Sequence, residues 1–478
     1  MKINFLLIYV TSVLFSTSCS VRTISSAQKK TIEYENKPYV IKNVNVIPMT
    51  SDNKIIENAT VVIHNNIIQS INDSTPDKTQ IIDGSGKWLI PGLIDMHVHN
   101  LADGSFSEGY PTRGSTLTFD VQNMMTPYIA SGVTTIFELS GRNGHFSLRD
   151  AIAKGLVLGP RMAIAAVIDG KGDEVVAITP SDGRQSVRDA KGRGYRFIKV
   201  YTWLYSETFE AIIDEANKQE MKVIGHIPIT FKGRSAEDFF VPHFGMIAHA
   251  EELSKQTEDF SYEKAQEYAR LAKENRTWLT PNLSNLVWIT KQARSLESIK
   301  NLSTLKYVHP LMQDKWLTSN SYNRNAAERP EWIEHLEKVV YFHKFLVKVF
   351  KEANVPMVVG TDAGKSGIVW DFSLHEELEL LVDAGLTNEE ALVAATKLPA
   401  EWLGINEIVG SIEVGKYADI VLLDENPLLN IQNTRSINGV FVNGVWLDKK
   451  KIDKMLLDLA EWNTSMKEKY QWENRKKY

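Results

Sequence analysis

The middle of the chain alternates short apolar segments with helical stretches, and this alternation restricts the fold more than any other feature of the sequence. Eight apolar segments lie between residues 92 and 364. Strands that alternate with helices pair in parallel, because each crossover returns the chain to the same edge of the sheet. Eight such units over about 250 residues close into a barrel. The predicted strands are "GLIDMHVH", "GVTTIFELS", "RMAIAAVID", "RFIKVYTW", "MKVIGHIP", "GMIAHAEE", "TWLTPNL" and "VPMVVGTDAG".

The two ends of the chain predict a second, smaller β-domain. Segments that alternate apolar and polar residues fill residues 38–90 and return in residues 404–450, as in antiparallel strands with one buried face. We therefore expect an α/β fold in which a (β/α)8 TIM barrel, residues 91–403, carries one small β-domain formed from both terminal regions. The longest gap between predicted strands indicates a helical insertion at about 284–345, beside the barrel mouth. Residues 451–478 have the periodicity of a C-terminal helix.

Residues 1–19 have the pattern of an export signal. A basic start precedes an apolar core and a run of small residues that ends at Cys19, and the segment is too short to span a bilayer. We expect residues 20–37 to be a linker and the mature protein to be exported, to the periplasm or the outer membrane of a bacterium. Cys19, the single cysteine, lies where a lipoprotein carries its lipid anchor, although Ser16 stands where such signals usually have leucine. The alternative is ordinary cleavage and release.

Composition narrows the class of partner. The chain has 478 residues, 43% of them hydrophobic and 24% charged, with a net charge of -5. A slightly acidic protein of this kind is not expected to bind nucleic acid. The sequence is compatible with a homo-oligomer.

Polar side chains stand at the ends of the predicted strands. His97 and His99 end the first strand and, being two residues apart, point to the same face. His226 ends the fifth strand, His249 the sixth and Asp362 the eighth. Functional groups of a barrel lie at the carboxyl ends of its strands, so these side chains should meet at one rim. Imidazole and carboxylate groups are typical ligands of zinc.

Lys199 interrupts the apolar fourth strand, where an isolated ammonium group is costly to bury. Pairing with a carboxylate, a lowered pKa or covalent conversion would remove this cost. A neutral lysine can add carbon dioxide, and the resulting carboxylated lysine can bridge two metal ions. Six ligands suit two divalent ions better than one. We expect one ion to be held by His97, His99 and Asp362, the other by His226 and His249, and carboxylated Lys199 to bridge them.

Seven stretches of the chain resemble those of one enzyme family. They are "IPGLIDMHVH", "GVTTIFELSG", "IKVY", "GHIP", "GTDAG", "LHEELELLVDAGLTNEEALVAATKLPAEWLG" and "GSIEVGKYADIVLLDENPL". The chain is similar to the amidohydrolase superfamily, in the branch of imidazolonepropionase-like proteins and binuclear prolidase-type dipeptidases. The resemblance implies a barrel with a β-sandwich, divalent metal, expected to be zinc, and hydrolysis of amide or ester bonds. Two departures bear on the substrate: Glu138 replaces a common Arg-Asp pair, and Glu251 and Glu252 stand where relatives often have glycine.

The expected reaction is hydrolysis of an amide or peptide bond by a hydroxide that bridges the metal ions. Asp362 is expected to take the proton of the attacking water and to deliver it to the leaving amine. Tyr201 lies on the same strand face as Lys199, and its two alternative roles are donation to the oxyanion and packing in the barrel top. Because an exported enzyme meets peptides and acylated amino acids, dipeptides or N-acyl amino acids are the expected substrates.

Three alternatives stand beside this interpretation. A lactonase, esterase or phosphotriesterase would use the same binuclear site. A mononuclear deaminase or imidazolonepropionase-type ring hydrolase would use one metal and a nearby glutamate. This second alternative is disfavoured because Ile227 and Pro228, not a carboxylate, follow His226. A non-catalytic binding protein would be expected to lack some of the ligands.

The other histidines are not among the predicted metal ligands. His145 follows the second strand and is a candidate for the active-site mouth, whereas His243 precedes the sixth strand and belongs to the far end of the barrel. Surface, packing or capping roles are expected for His64, His309, His335, His343 and His375.

Overall fold

The computed structural model describes residues 38–73, 76–100, 103–105, 116–172, 175–370 and 372–477. The predicted export signal, its cysteine Cys19 and the linker lie outside these residues. Within the described ranges, no helix combines the length and the apolarity that crossing a bilayer would need.

The N-terminal region forms five short strands. Its apolar residues alternate with polar ones, so one face of each strand is buried. β1 pairs antiparallel with β2 and parallel with β4 and β5. The strands are β1 (Tyr39–Val46), β2 (Ile56–His64), β3 (Ile67–Ile71), β4 (Gln80–Asp83) and β5 (Trp88–Pro91).

The middle of the chain forms a parallel sheet whose strands follow one another in chain order. The order is β6, β9, β10, β12, β13, β14 and β15. β7 pairs with β8 in a separate hairpin, and β11 adds to β10. These strands are β6 (Leu93–Val98), β7 (Asp103–Ser105), β8 (Thr116–Thr118), β9 (Val133–Glu138), β10 (Arg161–Asp169), β11 (Val175–Val176), β12 (Phe197–Val200), β13 (Lys222–Gly225), β14 (Met246–Ala248) and β15 (Trp278–Thr280).

An extended segment, residues 356–363, takes the place of the eighth predicted strand. Its Val358 N–H donates to the carbonyl of Leu279 in β15 at 3.0 Å, and its Asp362 N–H donates to the carbonyl of His97 in β6 at 2.7 Å. The segment therefore bridges the first and seventh strands and closes the barrel. It is not a regular strand, and one reason is the φ of 62° at Asp362, a left-handed conformation that interrupts a ladder.

Helices cover the outside of the barrel and fill the predicted insertion. α7 to α11 lie between β15 and the eighth position. The helices are α1 (Val121–Ala130), α2 (Asn143–Ala153), α3 (Pro180–Gly192), α4 (Ser206–Lys218), α5 (Ala250–Ser254), α6 (Tyr262–Asn275), α7 (Leu283–Arg294), α8 (Glu297–Lys300), α9 (Pro310–Thr318), α10 (Ser321–Glu328), α11 (Glu331–Glu352), α12 (Phe372–Asp383), α13 (Asn388–Ala394), α14 (Lys397–Leu403) and α15 (Lys449–Met466).

The C-terminal helix α15 begins two residues before its predicted start and ends earlier than predicted. The Asp448 side chain accepts the backbone N–H of Lys451 at 2.8 Å, which caps the first turn and sets the start. A short 3-10 turn, Trp472–Lys477, follows the helix.

The last strands of the chain join the first ones. β16 (Ile420–Leu423), β17 (Ile437–Val442) and β18 (Val445–Asp448) extend the N-terminal sheet in the order β18–β17–β16–β5–β1–β2–β3, with β4 beside β1. β16 runs antiparallel to β5. The predicted sandwich region is thus hydrogen-bonded as one eight-stranded sheet, whose apolar face includes Ile41, Leu89, Ile420 and Phe441.

Candidate metal centre

The carboxyl ends of the barrel strands bring the six candidate ligands to one rim. His97 lies in β6 and His99 follows it, and Lys199 lies in β12. His226 directly follows β13, and His249 directly follows β14. Asp362 belongs to the segment at the eighth position. All are buried except His99, which is partly exposed.

The first group of ligands consists of His97, His99 and Asp362. Their ligand atoms all lie within 4.8 Å of one another. Oδ1 of Asp362 is 3.0 Å from Nε2 of His99 and 3.5 Å from Nε2 of His97. Its Oδ2 accepts from Nδ2 of Asn285 at 3.1 Å and lies 2.5 Å from Nζ of Lys365. Burial alone would raise the pKa of Asp362, but Lys365 and the histidines hold it far below its ordinary value.

Lys199 lies between this group and the remaining histidines. Its side chain is 1% exposed, and Nζ is 3.5 Å from Nε2 of His97. No carboxylate oxygen of a described residue comes within ion-pairing distance of Nζ. Burial lowers the pKa of Lys199 to about 7. Of the three ways to relieve a buried ammonium, pairing is therefore the one that the described contacts do not provide.

His226 and His249 form the second group. Their ring centroids are 5.2 Å apart, and the ring of His249 is 4.5 Å from that of His97. Nδ1 of His226 is 2.8 Å from the hydroxyl of Thr202. Burial lowers the pKa of all three histidines well below the ordinary value. They are therefore neutral near pH 7, which is the form that binds metal.

The donor set fits a divalent metal ion. The neutral imidazoles of His97, His226 and His249 converge at one rim with the ring of His99 and an ionised carboxylate, and imidazole and carboxylate are ligands that zinc takes in proteins. Nδ1 of His249 is buried, makes no hydrogen bond to a described residue, and lies 3.9 Å from Oδ2 of Asp362. Leaving such an atom without a partner costs free energy, and a metal ion is a suitable partner.

Glu138, noted in the sequence only as a departure from relatives, lies directly behind His99. Its Oε1 is 3.6 Å from Nδ1 of His99, and its Oε2 accepts the backbone N–H of Asn100 at 2.7 Å. Burial alone would lower the pKa of His99, but Asp362 and Glu138 raise it to about 9. A metal ion must therefore displace a proton from His99, and Glu138 fixes the orientation of its ring.

Glu252 changes the argument against a deaminase. The sequence shows no carboxylate after His226, yet Oε1 of Glu252 lies 3.5 Å from Nδ1 of His226. Its Oε2 accepts the backbone N–H of Ile227 at 3.2 Å. The prediction that no carboxylate lies beside His226, on which a deaminase was disfavoured, is therefore wrong. The carboxylate comes from the neighbouring strand end. Its position three residues after His249, on α5, was the signal that could have revealed it.

The other histidines lie away from the six ligands. Nε2 of His145 is 3.2 Å from the carbonyl of Asn100, behind the rim. His343 contacts the hydroxyl of Ser254, and His375 that of Thr434. His309 is buried and caps α9, since its Nδ1 accepts the backbone N–H of Leu311 at 3.2 Å. The ring of His335 contacts that of Phe260. His64 is partly exposed and His243 is exposed.

A buried carboxylate anchors the helix that brings Asn285 to Asp362. Glu377 in α12 accepts the backbone N–H groups of Leu283 and Ser284, at 2.8 and 2.7 Å, in the first turn of α7. Burial raises the pKa of Glu377 from 4.5 to about 7. A raised pKa stabilises the fold below pH 4.5, and this stabilisation disappears as the pH rises through 7.

We expect Glu377→Gln to remove this pH dependence. Between pH 5 and pH 8 the wild type should lose roughly 2 kcal/mol of unfolding free energy that the variant keeps. Urea unfolding of both proteins at both pH values measures the difference, and groups common to the two proteins cancel. Equal changes in the two proteins would contradict the assignment.

The fold and this rim together define a class: barrel hydrolases whose metal centre is built from histidines and a carboxylate at the strand ends. The chain belongs to the amidohydrolase family, whose model matches residues 88–447. It is a hydrolase that acts on carbon–nitrogen bonds.

Similar proteins with a name include a deaminase, a dipeptidase and an amidohydrolase, so their names give different activities. A 5-methylthioadenosine/S-adenosylhomocysteine deaminase of Bacillus thuringiensis (strain Al Hakam) is 22% identical over 461 residues, which cover 86% of this chain and 96% of the deaminase. The structure of a Xaa-Pro dipeptidase with bound methionine matches with a TM-score of 0.64 and 21% identity, over 86% of this chain and 100% of the dipeptidase. A bottromycin amidohydrolase matches with a TM-score of 0.69 and 20% identity, over 89% and 90% of the two chains.

Proposed function

We propose that this protein is an exported binuclear metallohydrolase that cleaves the amide bond of dipeptides or N-acyl amino acids. The observation that carries the proposal is Lys199, a buried amine without a carboxylate partner among the described residues, set between two groups of metal-binding side chains. A site for one metal ion has no use for a lysine there. A carboxylated lysine that bridges two ions accounts for its position, its burial and its lowered pKa.

Each residue at the rim has its own role in the proposed reaction. The metal ions, when bound, polarise the scissile carbonyl and make a water molecule more acidic. Asp362 accepts the proton of the attacking water and returns it to the leaving nitrogen. Asn285 and Lys365 hold the carboxylate of Asp362 in place, and Glu138 orients His99.

Tyr201 is the candidate donor to the oxyanion. Its ring stacks on that of His226, with centroids 4.2 Å apart and planes at 28°, and burial raises its pKa, which keeps the hydroxyl protonated. We expect Tyr201→Phe to lower kcat roughly 100-fold and to leave KM nearly unchanged, because the bond forms in the transition state. Steady-state kinetics on the best substrate measure both constants. A fall of less than about threefold in kcat would assign the ring to packing alone.

A deaminase is the second candidate function. Glu252 beside His226 supplies the kind of carboxylate that such an enzyme needs for proton transfer, and the relative from Bacillus thuringiensis is named a deaminase. On this interpretation one metal ion is bound, Lys199 stays unmodified, and the substrate loses ammonia.

Two measurements separate the candidates. The first is the metal content of the purified protein by mass spectrometry, with two ions expected for the binuclear hydrolase and one for the deaminase. The second is a panel of dipeptides, N-acyl amino acids, lactones, phosphotriesters, 5-methylthioadenosine and S-adenosylhomocysteine. Release of amino acids from the first two classes supports the proposal. Release of ammonia from a nucleoside, with one metal ion bound, would replace it by the deaminase.

A further inference from the structure

A cavity of about 510 Å³ crosses the mouth of the barrel above the candidate ligands. Its wall runs from Tyr201, after the fourth strand, past His226 and His249 to Lys365, after the eighth position. The fourth and eighth positions face each other across an eight-membered barrel. A ligand that fills the cavity therefore spans the candidate metal centre, and the volume suits a small molecule.

Among the described residues three lysines line the cavity, and two of them are paired with glutamates of the same wall. Nζ of Lys232 is 3.1 Å from Glu258. Nζ of Lys255 is 2.8 Å from Glu252 and 3.0 Å from Glu251. The charges of these two lysines are balanced by glutamates that are not candidate metal ligands, so neither lysine needs an anionic ligand to balance its charge.

Lys365 differs from these two lysines in its partner. Within the part of the chain that the structure describes, the carboxylate within ion-pairing distance of its Nζ is Asp362, at 2.5 Å. Asp362 is also a proposed metal ligand, so the ammonium and the metal share one negative charge. Lys365 further lines a second cavity of about 210 Å³, together with the polar side chains of Ser319 and Ser366. The cation thus lies at the junction of two cavities, with room beside it for a ligand group.

Large apolar side chains line the opposite end of the large cavity, where Nζ of Lys171 also lies 3.3 Å from the ring centroid of Trp203. Tyr201, Trp203 and Ile229 line it and are 38%, 43% and 46% exposed. Large apolar side chains that stay exposed beside a cavity mark a surface that binds an apolar group. The cavity therefore has a cation at one end, an apolar surface at the other, and the metal-binding side chains between them.

We propose that Lys365 binds the free carboxylate on the leaving amine of the dipeptide or N-acyl amino acid, and that an apolar acyl group of the same substrate lies against Tyr201, Trp203 and Ile229. This inference rests on the proposed amide hydrolysis and assigns the residues that bind the two ends of its substrate. A charge-assisted hydrogen bond from an ammonium to a carboxylate is among the stronger polar contacts. It would place the scissile bond over the metal centre.

The test compares N-benzoyl-L-leucine with its primary amide, which lacks only the negative charge. We expect the wild type to prefer the acid roughly 10- to 100-fold in kcat/KM for release of benzoyl product, mainly through KM. Lys365→Met should bring this ratio close to one, and Lys365→Arg should keep most of it. Lys365 also contacts Asp362, so K365M will slow both substrates, and the ratio cancels that shared effect.

Lys232→Met is the matched control, because it removes a lysine of the same cavity that has its own glutamate partner. It should leave the acid-to-amide ratio within about threefold of the wild type. Metal content and thermal unfolding of each variant show whether it is loaded and folded, and the comparison in the wild type needs no variant. A wild type that cleaves both compounds equally, or a K365M that keeps the preference, would overturn the inference and leave amide hydrolysis standing. A wild type that cleaves no amide of the panel would instead refute the proposed function.

Discussion

Replacing Asp362 by asparagine should lower kcat/KM at least about 10³-fold, because in the proposed mechanism this one side chain both binds metal and carries the proton. The variant keeps the shape of the residue and its contact with Asn285, but it loses the charge that attracts metal and accepts the proton. Steady-state kinetics and metal analysis of the purified variant measure the two losses separately.

Asp169→Asn is the matched control for Asp362. Asp169 is a buried carboxylate at the end of β10, on the same rim, and it accepts the backbone N–H of Trp203 at 2.7 Å instead of facing the ligands. Its replacement should change kcat/KM by less than about tenfold. Full activity in Asp362→Asn, or equal losses in the two variants, would contradict the role given to Asp362.

In the proposed binuclear site, replacing Lys199 by methionine should reduce the bound metal from two ions to one or fewer and lower kcat/KM at least about 100-fold. Mutating a residue that only contacts a metal ligand already lowers metal affinity or activity 10- to 100-fold. Only the neutral amine adds carbon dioxide. With a pKa of about 7, Lys199 is more often neutral at pH 8 than at pH 6. Metal loading of the wild type should therefore be greater at pH 8, and lower in solutions freed of carbon dioxide.

Two further measurements make the lysine prediction specific. Carbon-13 NMR after labelling with bicarbonate should show a carbamate in the wild type and none in Lys199→Arg. Propionate should partly restore metal binding to Lys199→Ala by supplying the missing carboxylate. Lys222→Met is the control, since Lys222 lies at the opposite end of the neighbouring strand β13, and it should retain both metal ions. A wild type with two metal ions and no carbamate would disprove the bridging role.

The meeting of the candidate ligands at one rim could be predicted because it depends on short-range rules. Side chains two apart on a strand share a face, which pairs His97 with His99. Parallel strands bring their carboxyl ends to one edge, which gathers His226, His249 and Asp362. The eighth segment was predicted to be a regular strand, and this was wrong. A residue with left-handed backbone conformation, such as Asp362, cannot be recognised from the pattern of apolar and polar residues.

The contacts that tune the site could not be predicted in the same way. Glu252 faces His226, Glu138 stands behind His99, and Lys365 reaches Asp362. Glu138 and Glu252 were visible in the sequence as unusual residues, but no local rule says which histidine each one contacts.

The sequence by itself determined the alternation of strands and helices, the barrel, and the rim at which the candidate ligands lie, because these follow from hydrophobic periodicity and strand direction. Only the tertiary structure decided which carboxylates lie beside His99 and His226, which lysine of the large cavity has no glutamate partner among the described residues, and how the first and last strands of the small domain meet. Those contacts join side chains from separate strand ends and loops. Their distances are set by how the barrel closes and how the insertion packs over it.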